Sequence, residues 1–300
     1  MKRWICWLCA AIFCFGIVSS AQAQAFWTQE ELDCCLAALQ QGEHQIPENK
    51  RILLSMDQLD KATDLDARWT HILLASSKAA DMQKNDGASS LLFLLSVHSG
   101  SREMHLTVLP PSALLDVEGL PGPVPLKYIN CFGGPRLVMQ SLNRALGLNI
   151  SRYCAVNEAV FSQAIETLGG VKISLTAEES AALSLPEGEA LLTGEEALHF
   201  VRLRMAGEGA SRPLRLMQSA YQQFTRDFSL SAIIRLARII LPMIDTNLSI
   251  KDVISLAYIA FTGEGPLGLS FYTLTADGAG RLGDEAAAAF HQNIDGVMLP

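Results

Sequence analysis

The chain has 300 residues, of which 49% are hydrophobic and 18% charged, and its formal net charge is −8. This length allows one large domain or two smaller ones, with ample material for a buried core. The acidic balance argues against general nucleic-acid binding, because a phosphate backbone selects basic surfaces. A local cluster of basic residues on such a chain would suit a small, defined anion.

The first 23 residues follow the plan of a secretory signal. Lys2 and Arg3 precede an apolar run over residues 4–18, and residues 21–23, Ala-Gln-Ala, resemble a cleavage site. The apolar run is short for a membrane span of roughly 20 residues, although an uncleaved N-terminal anchor is the alternative. In either case we predict an extracytoplasmic protein, secreted or anchored to the cytoplasmic membrane by its N-terminus.

Four cysteines lie beyond this segment, and no two of them form a C-x-x-C pair. Cys34 and Cys35 are neighbours and are not expected to bond to each other. Cys131 and Cys154 could form a disulfide in an oxidising compartment or remain buried free thiols, and the sequence leaves both open. These spacings predict no metal site.

Residues 24–66 are predicted to form a helical linker region ahead of a main domain at 67–300. Thr28 and Glu31 have the spacing of a capping box, and apolar residues then recur on one helical face up to residue 41. A second short helix is predicted over 51–66.

Strands and helices intermix from Trp69 onward, which predicts a layered α/β domain with helices covering a mixed sheet. A strand, a helix and a strand at 153–156, 158–168 and 169–175 are predicted to form one strand–helix–strand unit. Pro135 is predicted to start a helix after two glycines, and Gly147 to end it. The other predicted strands are 69–76, 91–97, 104–109 and 269–274, and the other helices are 212–228, 230–244, 249–261 and 283–292.

Motifs of nucleophilic catalysis, P-loops, zinc proteases and dinucleotide binding are missing from the sequence. Its six histidines are scattered. His71, His98 and His105 lie on or beside apolar strands and are interpreted as hydrogen-bonded core or edge residues.

Four arginines lie within the stretch HFVRLRMAGEGASRPLRLMQ (199–218). If residues 201–204 are extended, Arg202 and Arg204 point the same way, because side chains alternate along a strand. Arg212 would lie where a helix begins, beside backbone N–H groups that add positive potential. Guanidinium groups bind phosphate oxygens bidentately. We therefore predict Arg202, Arg204 and Arg212 as binding residues for a small phosphate-containing anion.

The alternative for the same stretch is a solvated, salt-bridged surface. Arg215 is predicted to be a surface residue of the following helix. His199 is predicted to be a bystander.

Three stretches stand in order along the chain: KYINCFGGPRLVMQSLNRALGLNISRY (127–153), FSQAIETLGGVKISL (161–175) and LLTGEEALHFVRLR (191–204). Together they resemble the LytR-CpsA-Psr family of bacterial cell-envelope proteins, and the similarity covers about residues 69–261. The resemblance implies an α/β/α sandwich with a mixed central sheet and a long apolar pocket for a lipid tail. It also implies a pyrophosphate held by arginines, here Arg202, Arg204 and Arg212.

The resemblance also implies a function. Family members are extracytoplasmic phosphotransferases that move a glycopolymer from a polyprenyl pyrophosphate carrier to peptidoglycan. Arginines hold the pyrophosphate, and acidic residues hold a magnesium ion.

This sequence departs from the family where the carboxylates are expected. Magnesium needs hard oxygen ligands, usually carboxylates with waters and phosphates, and serines replace them poorly. Asp81, Asp86, Asp116 or Glu208 could substitute, but no spacing argues for it. The departures are residues 75–79 in place of Gly-Ser-Asp-x-Arg, 88–91 in place of Arg-Ser-Asp-Thr, 110–112 in place of Pro-Arg-Asp, Gly209 in place of an aspartate and Leu216 in place of a glutamine.

We therefore predict an exported protein that binds a polyprenyl (pyro)phosphate-linked lipid or glycopolymer precursor, with impaired catalysis. Magnesium is implied by the resemblance alone, and no residue is assigned as catalytic or metal-binding. Envelope-assembly proteins are further expected partners, and nucleic acid is not. Two alternatives stay open: an active, magnesium-dependent phosphotransferase, and a structural or interaction protein of the cell surface.

Overall fold

The protein is described by a computed structural model over residues 27–42, 46–78, 87–203, 211–227, 237–238, 240–261 and 268–295. Short 3-10 turns occur at Glu48–Lys50, Met56–Gln58 and Leu241–Met243. The described strands are β1 (Trp69–Ser76), β2 (Leu92–His98), β3 (Glu103–Leu109), β4 (Leu114–Leu115), β5 (Val124–Pro125), β6 (Arg152–Val156), β7 (Val171–Leu175), β8 (Gly188–Leu192), β9 (Asp245–Thr246) and β10 (Gly268–Thr273).

Helices precede, separate and follow these strands. Their bounds are α1 (Gln29–Gln41), α2 (Leu126–Leu146), α3 (Glu158–Thr167), α4 (Ala177–Leu183), α5 (Gly194–Arg202), α6 (Ser211–Asp227), α7 (Ile250–Phe261) and α8 (Asp284–Asp295).

A six-stranded sheet with the order β10-β3-β2-β1-β6-β9 forms the centre of the molecule. The pairs β1–β6 and β3–β10 are parallel, and the other neighbours are antiparallel. Two small antiparallel ribbons, β4–β5 and β7–β8, lie outside it. The predicted mixed sheet is confirmed.

Alternation along the strands divides the apolar side chains between two faces. Leu73 and Leu94 belong to a large core that also contains residues of α2 and α8, such as Ile129 and Phe290. On the opposite face, Phe93, Leu106 and Val108 pack against Leu214 and Met217 of α6. Helices therefore cover both faces, and the predicted α/β/α sandwich is confirmed.

The predicted first helix is confirmed together with its cap. Thr28 Oγ1 accepts a hydrogen bond from Glu31 N, and the Glu31 carboxylate accepts one from Thr28 N. Leu32 and Leu39 are buried in the same core as the sheet. Part of the predicted linker region is thus packed against the main domain.

Two predictions about local organisation are wrong. Residues 51–66 form no α-helix, because only the turn at 56–58 is helical there. The strand–helix–strand unit is divided between sheets: β6 joins the central sheet, whereas β7 pairs with β8. The burial of alternate residues in β7 fits either sheet, so its partner is set by tertiary packing.

The predicted apolar helix at 230–244 lies mostly outside the described residues. The helix at 249–261 is confirmed as α7, and Ser249 Oγ caps it by accepting a hydrogen bond from Asp252 N. In the described part of the chain, no helix is both long and apolar enough to span a bilayer.

Candidate anion site

Arg212 and Arg215 share one buried carboxylate, Glu179. Arg212 Nε donates to Glu179 Oε1 at 3.0 Å, and Arg215 Nη1 donates to the same oxygen at 2.6 Å. The two arginines are three residues apart on α6, so they lie on one face of the helix. Arg212 is 2% exposed and Glu179 1% exposed. Two guanidinium groups thus meet one carboxylate.

Further contacts fix the orientation of both guanidinium groups. Arg212 Nη1 donates to Leu203 O at 2.9 Å, just before the undescribed residues 204–210. Arg215 Nη2 donates to Ser174 O, and its guanidinium carbon lies 5.4 Å from the centre of the Phe200 ring. Arg215 is therefore partly exposed on α6, as predicted, and it is also a member of the buried ion-pair cluster, which was not predicted.

Glu179 is also part of a helix cap. Its Oε2 accepts a hydrogen bond from Thr176 N at 3.0 Å, and Thr176 Oγ1 accepts one from Glu179 N. Burial raises the pKa of Glu179, but the hydrogen bonds from Arg215, Thr176 and Arg212 outweigh burial, so the pKa lies below its ordinary value. The carboxylate is therefore ionised at neutral pH.

The structure does not bring Arg202 into this cluster. Residues 201 and 202 are the end of α5, so the predicted extended conformation over 201–204 is wrong there. Phe200 faces the core, and Arg202 lies about 200° further around the helix, in solvent. Its guanidinium pairs with Glu158 on α3.

Arg204 lies outside the described residues, as do Glu208 and Gly209. The assignment of Arg202, Arg204 and Arg212 as pyrophosphate ligands therefore stays a prediction. His199 is exposed on α5.

Sequence reasoning missed Glu179. The spacing Thr176-x-x-Glu179 predicts a capping box and a helix start. Nothing local to it indicates a partner 33 residues further along the chain.

The segments that depart from the family pattern meet at one edge of the sheet. Ser76 Oγ at the end of β1 lies 3.1 Å from Ser90 Oγ, just before β2. Ser89 N donates to Lys127 O at 2.8 Å, and Lys127 N donates to Pro111 O at 2.9 Å. The sequence resemblance thus grouped the correct segments, and the described side chains that join β1 and β2 there are hydroxyls.

The described hydroxyls of this edge suit magnesium poorly, because hydroxyls are weaker ligands for a hard dication than carboxylates. Within the described ranges, no three His, Cys, Asp or Glu side chains are grouped as a metal site requires. Asp116 pairs with Arg281 at 3.1 Å. Asp81 and Asp86 lie outside the described residues.

The remaining cysteines and histidines are placed as follows. Cys131 and Cys154 are not bonded to each other; Cys131 is buried and Cys154 partly buried. His71 and His98 are buried and hydrogen-bonded, as expected. His105 is buried, but no hydrogen-bond partner for either ring nitrogen lies within the described residues.

Helices on both faces of a mixed sheet define an α/β/α sandwich. In this chain the sandwich contains the buried guanidinium group of Arg212 and the half-buried one of Arg215. The sequence pattern of the LytR_cpsA_psr family matches residues 45–292, so the chain belongs to this family. The family resemblance found in the sequence is thereby confirmed.

Curated relatives are similar over part of their length. A polyisoprenyl-teichoic acid–peptidoglycan teichoic acid transferase TagU of Halalkalibacterium halodurans is 27% identical over 154 residues, 49% of each chain. The transferase TagT of Bacillus subtilis is 27% identical over 141 residues, 43% of this chain and 44% of TagT. The chain thus matches less than half the length of these relatives.

Solved structures show the same fold. TagT bound to LIIa-WTA superposes with a TM-score of 0.64 and 18% identity, covering 81% of this chain and 98% of TagT. TagT with bound octaprenyl pyrophosphate lipid gives a TM-score of 0.58 and 20% identity over the same shares. Bacillus subtilis TagV superposes with a TM-score of 0.62 and 17% identity, covering 77% of this chain and 98% of TagV.

Proposed function

We propose that this protein binds a polyprenyl (pyro)phosphate-linked lipid or glycopolymer precursor at the cell envelope, outside the cytoplasm, and that its transfer chemistry is impaired. The observation that carries the proposal is the arginine pair on Glu179 in a chain of this family. About a third of the Arg215 side chain is exposed, so its edge is accessible to phosphate oxygens.

The chemistry of the sheet edge supports binding over transfer. Charge that develops on a transferred phosphoryl group has to be met by cations or preorganised donors. At the edge that joins β1 and β2, the side chains that hydrogen-bond between the two strands are the hydroxyls of Ser76 and Ser90. Hydroxyls can donate to phosphate oxygens, but they do not replace the charge of carboxylate-held magnesium.

Native mass spectrometry of the purified protein tests the lipid proposal. We expect a co-purifying mass that matches a phosphorylated polyprenyl lipid, or saturable binding when a polyprenyl pyrophosphate is added in detergent. A protein that neither retains nor binds such a lipid would instead be a structural or interaction protein. Magnesium-dependent release of phosphate or pyrophosphate from the same lipid would show an active phosphotransferase and overturn the impaired-transfer part of the proposal.

The Arg202→Ala and Arg204→Ala variants test the predicted anion site. If both guanidinium groups contact the pyrophosphate, each loss removes a charge-assisted hydrogen bond, and affinity should fall at least about tenfold. The matched control is Arg281→Ala, which removes an exposed arginine paired with Asp116. Titration with a polyprenyl pyrophosphate measures the lipid affinity of all three variants. Affinity equal to that of the control would remove these two residues from the site and leave the Arg212–Arg215 cluster as the candidate.

A further inference from the structure

Three histidines are buried around Trp69 on one face of the central sheet. His71, His98 and His105 are 4%, 1% and 1% exposed. The register aligns His71 with Ser96 on β2, and Ser96 with His105 on β3. The Trp69 ring centre lies 6.2 Å from that of His71, 4.8 Å from that of His98 and 5.4 Å from that of His105. These four residues are the histidine cluster.

Hydrogen bonding in the histidine cluster is incomplete. His71 Nδ1 lies 2.8 Å from Ser96 Oγ, and Ser101 N donates to His98 Nδ1 at 2.8 Å. Trp69 Nε1, His98 Nε2 and both ring nitrogens of His105 have no hydrogen-bond partner within the described residues. Buried polar atoms are nearly always paired, and an unpaired buried charge costs far more than an unpaired neutral group. An added proton on His105 would therefore require water to enter.

The charged groups near the β1–β3 side of the cluster are few. Asp66 Oδ2 lies 3.6 Å from His98 Nε2, which is too far for a hydrogen bond. Arg68 binds the same Asp66 carboxylate with two nitrogens and lowers its pKa. Glu103 lies two residues before His105 on β3 and favours its charged form. His98 therefore has a nearby counter-charge, and His105 has a weaker one.

The opposite side of the cluster is formed by the last two described elements. Tyr272 of β10 stacks on His105 with ring centres 5.6 Å apart. Phe290 of α8 contacts His71 with ring centres 6.0 Å apart. The next residue, His291, bonds Leu146 O at 2.9 Å and lies where a positive charge would repel one on His71. His71 thus has no acidic neighbour among these contacts.

We propose that the histidine cluster is an acid-sensitive latch, which holds β10 and α8 on the sheet while its rings are neutral and releases them when the rings are protonated. Both elements contact the cluster through aromatic rings that must separate from the histidines when water enters. The latch stands on contacts that are independent of the arginine cluster and of the proposed lipid.

The sign of the pH dependence follows from the buried rings. Burial, reinforced by the charge of His291, lowers the pKa of His71 to about 4. Burial also lowers the pKa of His105, although Glu103 opposes it. An unfolded histidine has a pKa near 6.5, so the unfolded chain binds more protons and stability falls as the pH drops from about 6.5 towards 4. For His71 alone, a change from pH 7.5 to 5 raises the unfolding constant roughly thirtyfold.

Urea unfolding of the whole protein at pH 7.5, 6.0 and 5.0 tests the latch. The variant is His105→Phe, which removes a titrating ring that has no hydrogen-bond partner in the described residues. The control is His199→Gln at an exposed helical position. We expect the wild-type and control midpoints to fall with pH by the same amount, and the midpoint of His105→Phe to fall less. Equal pH dependence of all three would overturn the proposal.

Two measurements on the wild type keep the proposal testable if His105→Phe does not fold. The ring NMR signals of His71 should stay those of a neutral ring at pH 5, because its pKa lies near 4. Hydrogen exchange at pH 5, after correction for the intrinsic rate, should lose protection first over Gly268–Thr273 and Asp284–Asp295. A His71 ring that is already charged at pH 5, or first loss of protection elsewhere, contradicts a latch at this place.

Discussion

Replacing Arg212 with alanine is expected to lower the free energy of unfolding by about 3 kcal/mol. Removal of one partner of a buried ion pair typically costs about 3–5 kcal/mol, because the other charge stays buried without compensation. The lower end applies here, since Arg215 still donates to the same oxygen of Glu179. Chemical denaturation of the lipid-free protein measures the change.

Two further variants separate the ion pair from a general effect of losing an arginine. Arg281→Ala removes an exposed pair with Asp116 and should cost less than about 1 kcal/mol, as exposed pairs do. Arg212→Met combined with Glu179→Leu removes both buried charges, and such replacements are often neutral or stabilising. The remaining Arg215 then reaches solvent with its exposed edge. We expect the double variant to be more stable than Arg212→Ala.

The same experiment decides between two roles of Arg212. If Arg212 is mainly a ligand-binding residue, its loss should weaken lipid binding and leave the lipid-free protein as stable as the Arg281→Ala control. If the ion pair is structural, stability falls before any ligand is added. The hydrogen bonds to Glu179 Oε1 and Leu203 O favour the structural role, because they occupy the Nε and Nη1 donors of Arg212.

Acid should also weaken the contribution of the Glu179 carboxylate to the stability of the folded protein. The pKa of Glu179 is lowered in the folded protein, so the unfolded chain binds a proton more readily. The stability from this carboxylate is complete above its unfolded pKa of about 4.3 and is lost as the pH falls through the folded value. The stability that Glu179 provides is therefore lost at lower pH than the stability that the buried histidines provide, which begins to fall near pH 6.5.

The sequence predicted those helix ends and turns that are formed by residues close together in the chain. Thr28 and Glu31 predicted the start of α1, and Gly147 predicted the end of α2, where its φ is 61°. These groups interact within one turn of helix, so spacing alone identifies them. The β2–β3 hairpin could be predicted for the same reason, since its two strands are joined by a four-residue loop.

Contacts between distant segments could not be predicted in this way. The ion pair between Arg212 and Glu179 of α4 is one such contact, which the sequence did not predict. Arg202 was placed on an extended segment, but the cap at Thr193 and Glu196 starts a helix that reaches it. Pro135 begins a helical segment after the two glycines, as predicted, and Gly133 and Gly134 form a non-helical kink before it. The sequence did not predict the helical segment that precedes the kink, from Leu126 onward.

Replacing Gly133 with alanine is expected to destabilise the protein by about 3 kcal/mol, at the upper end of overpacking effects. An added Cβ would lie 2.2 Å from Ile52 O and 2.7 Å from Leu137 Cδ2. The leucine methyl can rotate away. Ile52 O is backbone, and Ile52 N donates to Phe132 O at 2.8 Å, so this segment cannot move without losing that bond.

Gly278→Ala is the matched control, because a Cβ there would meet no atom within 4 Å. Denaturant unfolding should show a large loss of unfolding free energy for Gly133→Ala. For Gly278→Ala, the unfolding free energy should change by no more than about 0.5 kcal/mol. Comparable stability of the two variants would contradict the close approach of residue 52 to the kink. The Gly-Gly-Pro stretch then has a physical explanation: Gly133 admits the neighbouring backbone, Gly134 adopts a φ of 71°, and Pro135 begins the second half of α2.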